Sequence, residues 1–312
     1  MSKFILSVSP HLREKTNTTI IMLDVVIALL PALAASVFIF GLRALLLVAV
    51  CVASCVLAEY LFGLICKKPT TIGDLSAVVT GILLAFNLPV AVPVWQAVIG
   101  SVVAIIVVKQ LFGGIGMNFA NPAIVGRIFM FLAFSGTMSN YLIPDSTGEL
   151  VATATPLVAT GNDVPSLFNL FIGNNNGCIG ETCVAALILG GIYLIVRKVI
   201  SFHIPVVFIG TVFVLSLLVA PEGQGIFNYA LYQILSGGLM LGAIFMATDY
   251  VTSPYTKWGK VIFALGCGLI TFAIRQWGSY PEGVSFSILF MNILTPYINN
   301  WTATKPFGGA TK

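Results

Sequence analysis

Uncharged apolar runs follow one another along this chain, and that pattern decides what it can fold into. With 15 Lys and Arg and 11 Asp and Glu in 312 residues, it is too poor in charge for a water-soluble domain, in which about a quarter of residues are charged. Crossing a bilayer takes roughly 20 apolar residues per helix. Long runs stand at Ile20–Phe40, Ala44–Ile65, Val94–Leu111, Pro122–Phe134, Val184–Val196, Pro205–Ala220, Val261–Ile274 and Val284–Ile298. Two shorter ones are bounded by helix breakers: Leu75–Leu88, closed by Pro89 and Pro93, and Leu231–Ala247, which contains Gly237, Gly238 and Gly242 and ends before Asp249 and Pro254. The expected fold is an all-α polytopic membrane protein of about ten spans, two of them short or broken.

The composition excludes much soluble chemistry. The two histidines, His11 and His203, and the scattered cysteines offer no zinc-like cluster and no four-cysteine iron-sulfur pattern, and no Gly-rich fingerprint joins a strand to a helix. No metal ligand, catalytic constellation or nucleic-acid partner is expected; the surroundings are membrane lipid. Cys51, Cys55, Cys66 and Cys267 lie in apolar stretches as small hydrophobes, whereas Cys178 and Cys183 share a polar loop and could pair. The basic, polar start leads straight into a long span without a short apolar region and cleavage site, so a cleaved signal peptide is not expected.

Basic residues near span ends collect on the cytoplasmic side. With the N-terminus inside, Lys3, Arg13, Lys15, Lys67, Lys68, Lys109, Arg197, Lys198, Lys257, Lys260, Lys305 and Lys312 fall inside. Only Arg43 and Arg275 fall outside, with Arg127 near the start of the fifth span. Omitting either short run would invert every later loop, so both change sides. The resulting organisation is a cytoplasmic segment 1–19, five helices in 20–134, an extracytoplasmic loop 135–182, five helices in 183–300 and a cytoplasmic tail 301–312. Both termini are expected on the cytoplasmic side.

Leu83 to Met130 and Leu241 to Met291 share an order of features: a short Gly-containing span, a Pro followed by Trp (Pro93 and Trp95; Pro254 and Trp258), a long apolar span, a Gly-containing turn and a span rich in Phe and Ile. Units with an odd number of spans insert in opposite senses. Two inverted five-helix repeats are therefore expected, with a site at their interface near the midplane.

Asp24 and Glu59 are the acids within the spans. Intramembrane carboxylates cost roughly 2.5–3.5 kcal/mol on insertion scales and mark ion or proton paths by default. Glu59 lies deeper than Asp24, which sits near the inner end of its span where water reaches it. Arg127, near Asn118 and Asn121, needs a partner or an anionic group. Polar turns flank the short spans, Gly73 to Ser76 before the first and Ala247 to Pro254 after the second, both on the cytoplasmic side. Unwound backbone there needs protein or a water-filled cavity. It could bind a cation or polar cofactor, or be ordinary capping.

The runs GGIGMNFANPAIVGRIF (Gly113 to Phe129), FMATDYVTSP (Phe245 to Pro254), DLSAVVTGILLAFNLP (Asp74 to Pro89) and TATPL (Thr153 to Leu157) resemble the family formed by the D subunit of the Rnf electron-transport complex and the B subunit of the sodium-pumping NADH:quinone oxidoreductase, Nqr. The resemblance spans nearly the whole chain, and a chain without a long N-terminal extension is closer to Rnf. It implies ten spans in an inverted repeat and an FMN joined through its phosphate to a threonine hydroxyl. The modified residue is the last Thr of a motif resembling S/T-x-A-T, which maps onto Thr155. Ala152 departs from that motif three residues earlier, and Thr153 is the fallback acceptor. A second, non-covalent flavin, riboflavin or FMN, is also implied, with Asn118, Asn121, Arg127, Asp249 and Thr252 as candidate contacts.

The resemblance further implies a subunit of a translocase that is not catalytic alone. It would relay electrons between reduced ferredoxin and NAD+ with export of Na+ or H+, beside Rnf subunits A, B, C, E and G. A flavin transferase would attach the FMN, on the outer face. The alternatives are a solute channel of urea-channel-like inverted-repeat architecture and a component like the B subunit of Nqr; the loop threonines distinguish the channel.

Overall fold

The computed structural model describes residues 17–67, 71–144, 150–153, 157, 166–173, 175–220, 225–278 and 282–304. Thr155, most of the 1–19 segment and most of the 301–312 tail lie outside them.

The described chain is helical apart from one small hairpin. In the first half come α1 (Thr18–Phe40), α2 (Leu42–Ile65), α3 (Ser76–Phe86), α4 (Val94–Val102, running on as a π-helix through Val103–Gln110) and α5 (Pro122–Ala133). The second half holds α8 (Val184–Val196), α9 (His203–Leu218), α10 (Ile226–Leu235), α11 (Leu239–Leu241, running on as a π-helix through Gly242–Met246), α12 (Lys257–Trp277) and α13 (Val284–Thr302). By length and hydropathy α1, α2 and α12 are each sufficient to cross a membrane, and α10 with α11 qualifies as a pair bent by 64°. The break at Ser236 to Gly238 falls among the glycines that mark it in the sequence, and Gly237 takes φ 68°.

Where helices touch, small residues let them approach. A Cβ on Gly81 of α3 would stand 2.7 Å from the Val52 Cα of α2, and one on Gly190 of α8 would stand 2.2 Å from the Ala28 carbonyl oxygen of α1. Such close backbone approach replaces the hydrophobic drive that lipid removes. Large apolar side chains remain on the outside, among them Phe38, Leu42, Ile65, Leu132 and Val196.

At 11 residues, α3 is about 16 Å long, roughly half a bilayer core, so its end carbonyls need partners inside the protein. They find them in the segment before α8: Gly180 N–H donates to Phe86 O at 2.9 Å and Ile179 N–H to Leu88 O at 3.1 Å. Gly180 is required there, because a Cβ would come within 2.3 Å of the Phe86 side chain. The break after α10 is closed by Arg275 of α12, which donates to the Gln233 carbonyl and, at 3.2 Å, to that of Ser236.

The 135–182 stretch, expected as one polar loop, is only partly that. It holds a helical turn α6 (Ser135–Met138), strands β1 (Tyr141–Pro144) and β2 (Leu150–Thr153) paired antiparallel, and α7 (Leu167–Ile172). Its last part is buried: Cys178, Ile179, Glu181 and Thr182 are all at most 4% exposed. Capping a half-length helix drew this polar stretch inward. Cys178 and Cys183 are both free thiols.

Candidate functional site

The two ends of α3 carry two distinct polar sites. At the Ser76 end the chain enters the helix with difficulty: Leu75 adopts φ 61°, a region costly for a branched side chain, while Asp74 Oδ1 accepts the Ser76 N–H at 2.8 Å. Beside this turn lies a partly open cavity of about 80 Å³, lined by Ser76, Thr80, Lys109, Asn118, Asn121 and Asp249 together with apolar residues including Val25, Leu83 and Phe245. Both π-helical stretches run to it, one delivering Lys109 and the other ending at Met246, just before Thr248. Such π turns recur at functional sites.

Two polar side chains of this cavity are held by bonds of their own, and one is not. Asn121 caps α5, its Oδ1 accepting from Ala123 N at 3.0 Å and Ile124 N at 3.4 Å, and its Nδ2 donates to the Met246 carbonyl at 3.2 Å. One side chain thus closes a helix start and a helix end across the two halves. Asn118 presents a buried Oδ1 that has no partner among the described residues. Asp249 accepts from Val251 N at 3.4 Å and Thr252 Oγ1 at 3.2 Å. Burial raises its carboxyl above the ordinary range, opposed by those two donors. Thr252 does not line the cavity; it holds Asp249, and its own carbonyl accepts from Thr295 Oγ1 at 2.9 Å.

Glu59 lies at the same end, locked in a network. Lys109 Nζ donates to its two oxygens at 3.0 and 2.8 Å and to Ser76 Oγ at 2.6 Å, and Gln110 Nε2 and Thr71 Oγ1 donate as well. The side chains of Glu59 and Lys109 are 1% and 2% exposed. Lys109 is thus a buried partner of an intramembrane acid, whereas the sequence pattern had it as a basic residue at a span end. Asp24 of α1 accepts from Tyr193 Oη at 2.9 Å and pairs with Arg197 at 3.2 Å, the first on α8 and the second at its C-terminal end.

Arg127 belongs to the other site, at the Asn87 end of α3. Its Nη1 donates to Asn87 Oδ1 at 2.8 Å and Ser285 Oγ at 3.1 Å, and its Nη2 pairs with Glu282. Glu181, from the segment that caps α3, lies beside them and accepts the Cys178 N–H at 2.7 Å. Burial, then the facing Glu282, push the Glu181 carboxyl up to about 8. A small pocket of about 30 Å³ lined by Arg127, Tyr141, Glu282, Ser285 and apolar neighbours adjoins this cluster. Of the five candidate contacts of a second flavin, the structure brings Asn118, Asn121 and Asp249 to one cavity, sets Thr252 behind it and puts Arg127 elsewhere.

The hairpin touches this second site. Tyr141 lies opposite Thr153 in the ladder and lines the Arg127 pocket. Leu157 is the near neighbour of Gly237, beside Arg275. The side chain of Thr153 and all of Thr155 fall outside the described residues.

Sequence comparison bears on the whole chain. A model of the NQR2, RnfD, RnfE family matches residues 5–308. The chain belongs to this family. A curated member, the D subunit of the Na(+)-translocating ferredoxin:NAD(+) oxidoreductase complex of Acetobacterium woodii, is 49% identical over 309 residues, covering 97% of this chain and 94% of that one. The D subunit of the proton-translocating ferredoxin:NAD(+) oxidoreductase complex of Clostridium ljungdahlii is 41% identical, covering 98% and 96%. In Stutzerimonas stutzeri the D subunit of an ion-translocating oxidoreductase complex is 35% identical, covering 92% and 91%. Relatives named for Na+ and for protons both align over almost their full length, so family membership leaves the coupling ion open.

Among the polar residues to which pattern reading gave no role in a site are Lys109, Glu181 and Glu282, with Asn87, Gln110, Ser285 and Tyr193. Lys109 had one available signal, since it lies in an apolar run later in the chain than an intramembrane acid that needs a partner. Glu181 and Glu282 sit in loop sequence, where nothing local announces burial.

Proposed function

We propose that this chain is the membrane-embedded D subunit of an Rnf-type complex, coupling ferredoxin:NAD+ oxidoreduction to the translocation of Na+ or H+. The observation that carries the reading is 49% identity across 97% of the chain to a subunit of that name. The subunit is not catalytic alone. Its partners are Rnf subunits A, B, C, E and G and a flavin transferase, and its place is a prokaryotic cell membrane with both termini cytoplasmic.

The architecture proposed is ten spans in two inverted repeats, α1 to α5 and α8 to α13. Matching contacts support it. The first helices of the two halves, α1 and α8, pack together, and so do the last, α5 and α13. In the first half α2 packs on α3 and α4; in the second α9 packs on α10 and α12. A methionine of the last helix fills the space over a glycine of the preceding helix in both halves, Met130 over Gly100 and Met291 over Gly266. On this topology the Ser76 end of α3 faces the cytoplasm and the Asn87 end faces outward.

Thr155 is the residue proposed to carry FMN as a phosphoester, with Thr153 as the fallback. Supporting this, the flanking residues Thr153 and Leu157 are held against Tyr141 and Gly237 at the outward end. A second flavin, riboflavin or FMN, is assigned to the cavity at the Ser76 end. Its lining of apolar side chains with a few polar groups is of the kind small-molecule sites use, and the unpartnered Asn118 Oδ1 gives it an acceptor. Asn118, Asn121 and Asp249 would contact the flavin's polar edge, and Val25, Leu83 and Phe245 would exclude water from its ring. Bound flavin supplies the one- and two-electron redox chemistry; the chain orients it and sets its surroundings. Glu59 and Asp24 remain proposed for the ion path, Glu59 acting with Lys109.

The test is in-gel fluorescence of the denatured protein from a host that supplies the transferase. A fluorescent band that vanishes in Thr155→Ala and persists in Thr153→Ala is expected; no band in the parent chain would sink the covalent flavin and favour a channel. In sealed vesicles Glu59→Gln should weaken ion transport more than electron transfer, and equal losses would mark Glu59 as structural.

A further inference from the structure

Three side chains at the Asn87 end, Cys178, Glu181 and Glu282, bring one ligand-type atom each to within 4.8 Å of one another. Their hydrogen bonds do not use them up. Glu181 spends Oε1 on the Cys178 N–H, and Glu282 spends Oε2 on Arg127. Glu181 Oε2 and Glu282 Oε1 are buried and have no partner among the described residues. Glu181 is only 4% exposed, and a buried carboxylate oxygen without a partner is costly enough that something normally satisfies it.

The charges say what kind of ligand fits. Two carboxylates face one cation in direct contact, the Arg127 guanidinium, which also holds Asn87, Ser285 and the Cys178 sulfur. The next cation, Arg275, gives its guanidinium to the Gln233 and Ser236 carbonyls. Tyr141 and Cys178 stay neutral, since burial raises both of their ionisations. Arg275 still acts on both glutamates through its charge, so with both acids ionised the cluster is balanced, and a divalent ion would overcharge it twice as far as a monovalent one; what is left open is the pair of carboxylate oxygens without a donor.

We propose that Glu181 and Glu282 form a binding site for a single exchangeable monovalent cation, a proton or an alkali-metal ion, held between their free oxygens. Space around the site agrees. Gly238, at the break between α10 and α11, borders it, and a Cβ there would stand 3.1 Å from Glu181 Oε2. The pocket lined by Arg127, Tyr141 and Glu282 reaches the site from one side. With a proton bound, the two carboxyls lie in reach of a hydrogen bond to each other; an alkali ion would take the proton's place between the same oxygens. Burial raising the Glu181 carboxyl expresses the same demand for a cation. The site requires neither flavin nor electron transfer, so it stands apart from the reading of function above.

Infrared difference spectroscopy of the purified, intact complex tests this by following the stretch of protonated carboxyl groups across a pH titration. The titration is repeated in NaCl and in choline chloride at equal ionic strength. A buried carboxyl band that disappears as pH rises, and that is missing in Glu181→Gln, is expected. Glu181→Gln keeps an oxygen for the Cys178 N–H, so folding should survive, and Glu282→Asp should keep the band at a shifted midpoint. Gly238→Ala, placed at φ −74° where alanine is unstrained, should displace that midpoint too. If Na+ occupies the site, each tenfold increase in NaCl lowers the midpoint by about one pH unit through competition; if the site takes only protons, NaCl and choline chloride give the same curve. A band unchanged in both Glu181→Gln and Glu282→Asp, the absence of any titrating carboxyl, or stronger displacement by Mg2+ or Ca2+ than by Na+ would overturn the proposal.

Discussion

Opposite ends of the same short helix treat buried acids differently. At the Ser76 end, Glu59 is bonded by Lys109, Gln110 and Thr71. At the Asn87 end, Glu181 and Glu282 each keep an oxygen without a partner among the described residues. The first arrangement is what a buried ion pair needs to be tolerated, with good geometry and extra donors. The second leaves electrostatic work unfinished, which marks a place where a cation can come and go. Two buried acids can thus differ in how far their own surroundings satisfy them, Glu59 by its donors and the Glu181–Glu282 pair only in part.

The largest expected effect comes from unpairing the finished site. Lys109→Ala leaves Glu59 buried without its cation, which should cost about 3–5 kcal/mol, read as an early thermal unfolding of the complex in detergent. Adding Glu59→Gln should recover most of that loss; no recovery would mean that Lys109 acts through packing. Gly180→Ala is the matching disturbance at the other end, where a methyl within 2.3 Å of Phe86 must displace the segment that caps α3. Overpacking of this kind costs about 1–3 kcal/mol. It should also open Cys178, 1% exposed in the native fold, to a thiol-reactive maleimide, and unchanged labelling would contradict the capping role.

The pH dependence sharpens the contrast further. Glu181 titrates at about 8 in the folded chain against 4.5 for an ordinary glutamate. Between those values the native state keeps a proton that the unfolded chain has released. This contribution to stability is complete below about 4.5 and is lost as pH rises through about 8. Melting temperature should therefore fall across that window in the parent chain and fall less in Glu181→Gln; equal slopes would remove Glu181 from the account. Asp24→Asn should change least, a barely displaced melting curve, because the Arg197 side chain that Asp24 meets is 51% exposed and water screens the pair.

Much of the helical order was legible because apolar runs and breakers are local signals. Val184–Val196 appears in the structure with the boundaries its run predicts, and the glycines at 237 and 238 mark the bend between α10 and α11. Glu59 and Asp24 announced themselves as charges in apolar sequence. Their partners did not, since Lys109 and Arg197 are brought near by packing between helices distant in the chain. The 135–182 stretch misled for the same reason: its polarity reads as a solvated loop, yet residues 178–182 are buried because the carbonyls of a half-length helix needed donors. Asn118, Asn121 and Asp249 were grouped by resemblance and do share a cavity. Arg127, adjacent to two of them in sequence, sits most of two turns along α5 from Asn121 and faces the other site.

The account's central claim is that the chain is a flavin-bearing subunit with Thr155 as the point of attachment. Mass spectrometry of the peptide containing Thr155, from complex made in a host with the flavin transferase, tests it most directly. The account predicts a mass increase equal to FMN less one water, located by fragmentation on Thr155 and absent from Thr155→Ala. An unmodified peptide, or a modification that remains on Thr153 when Thr155 is intact, would contradict it.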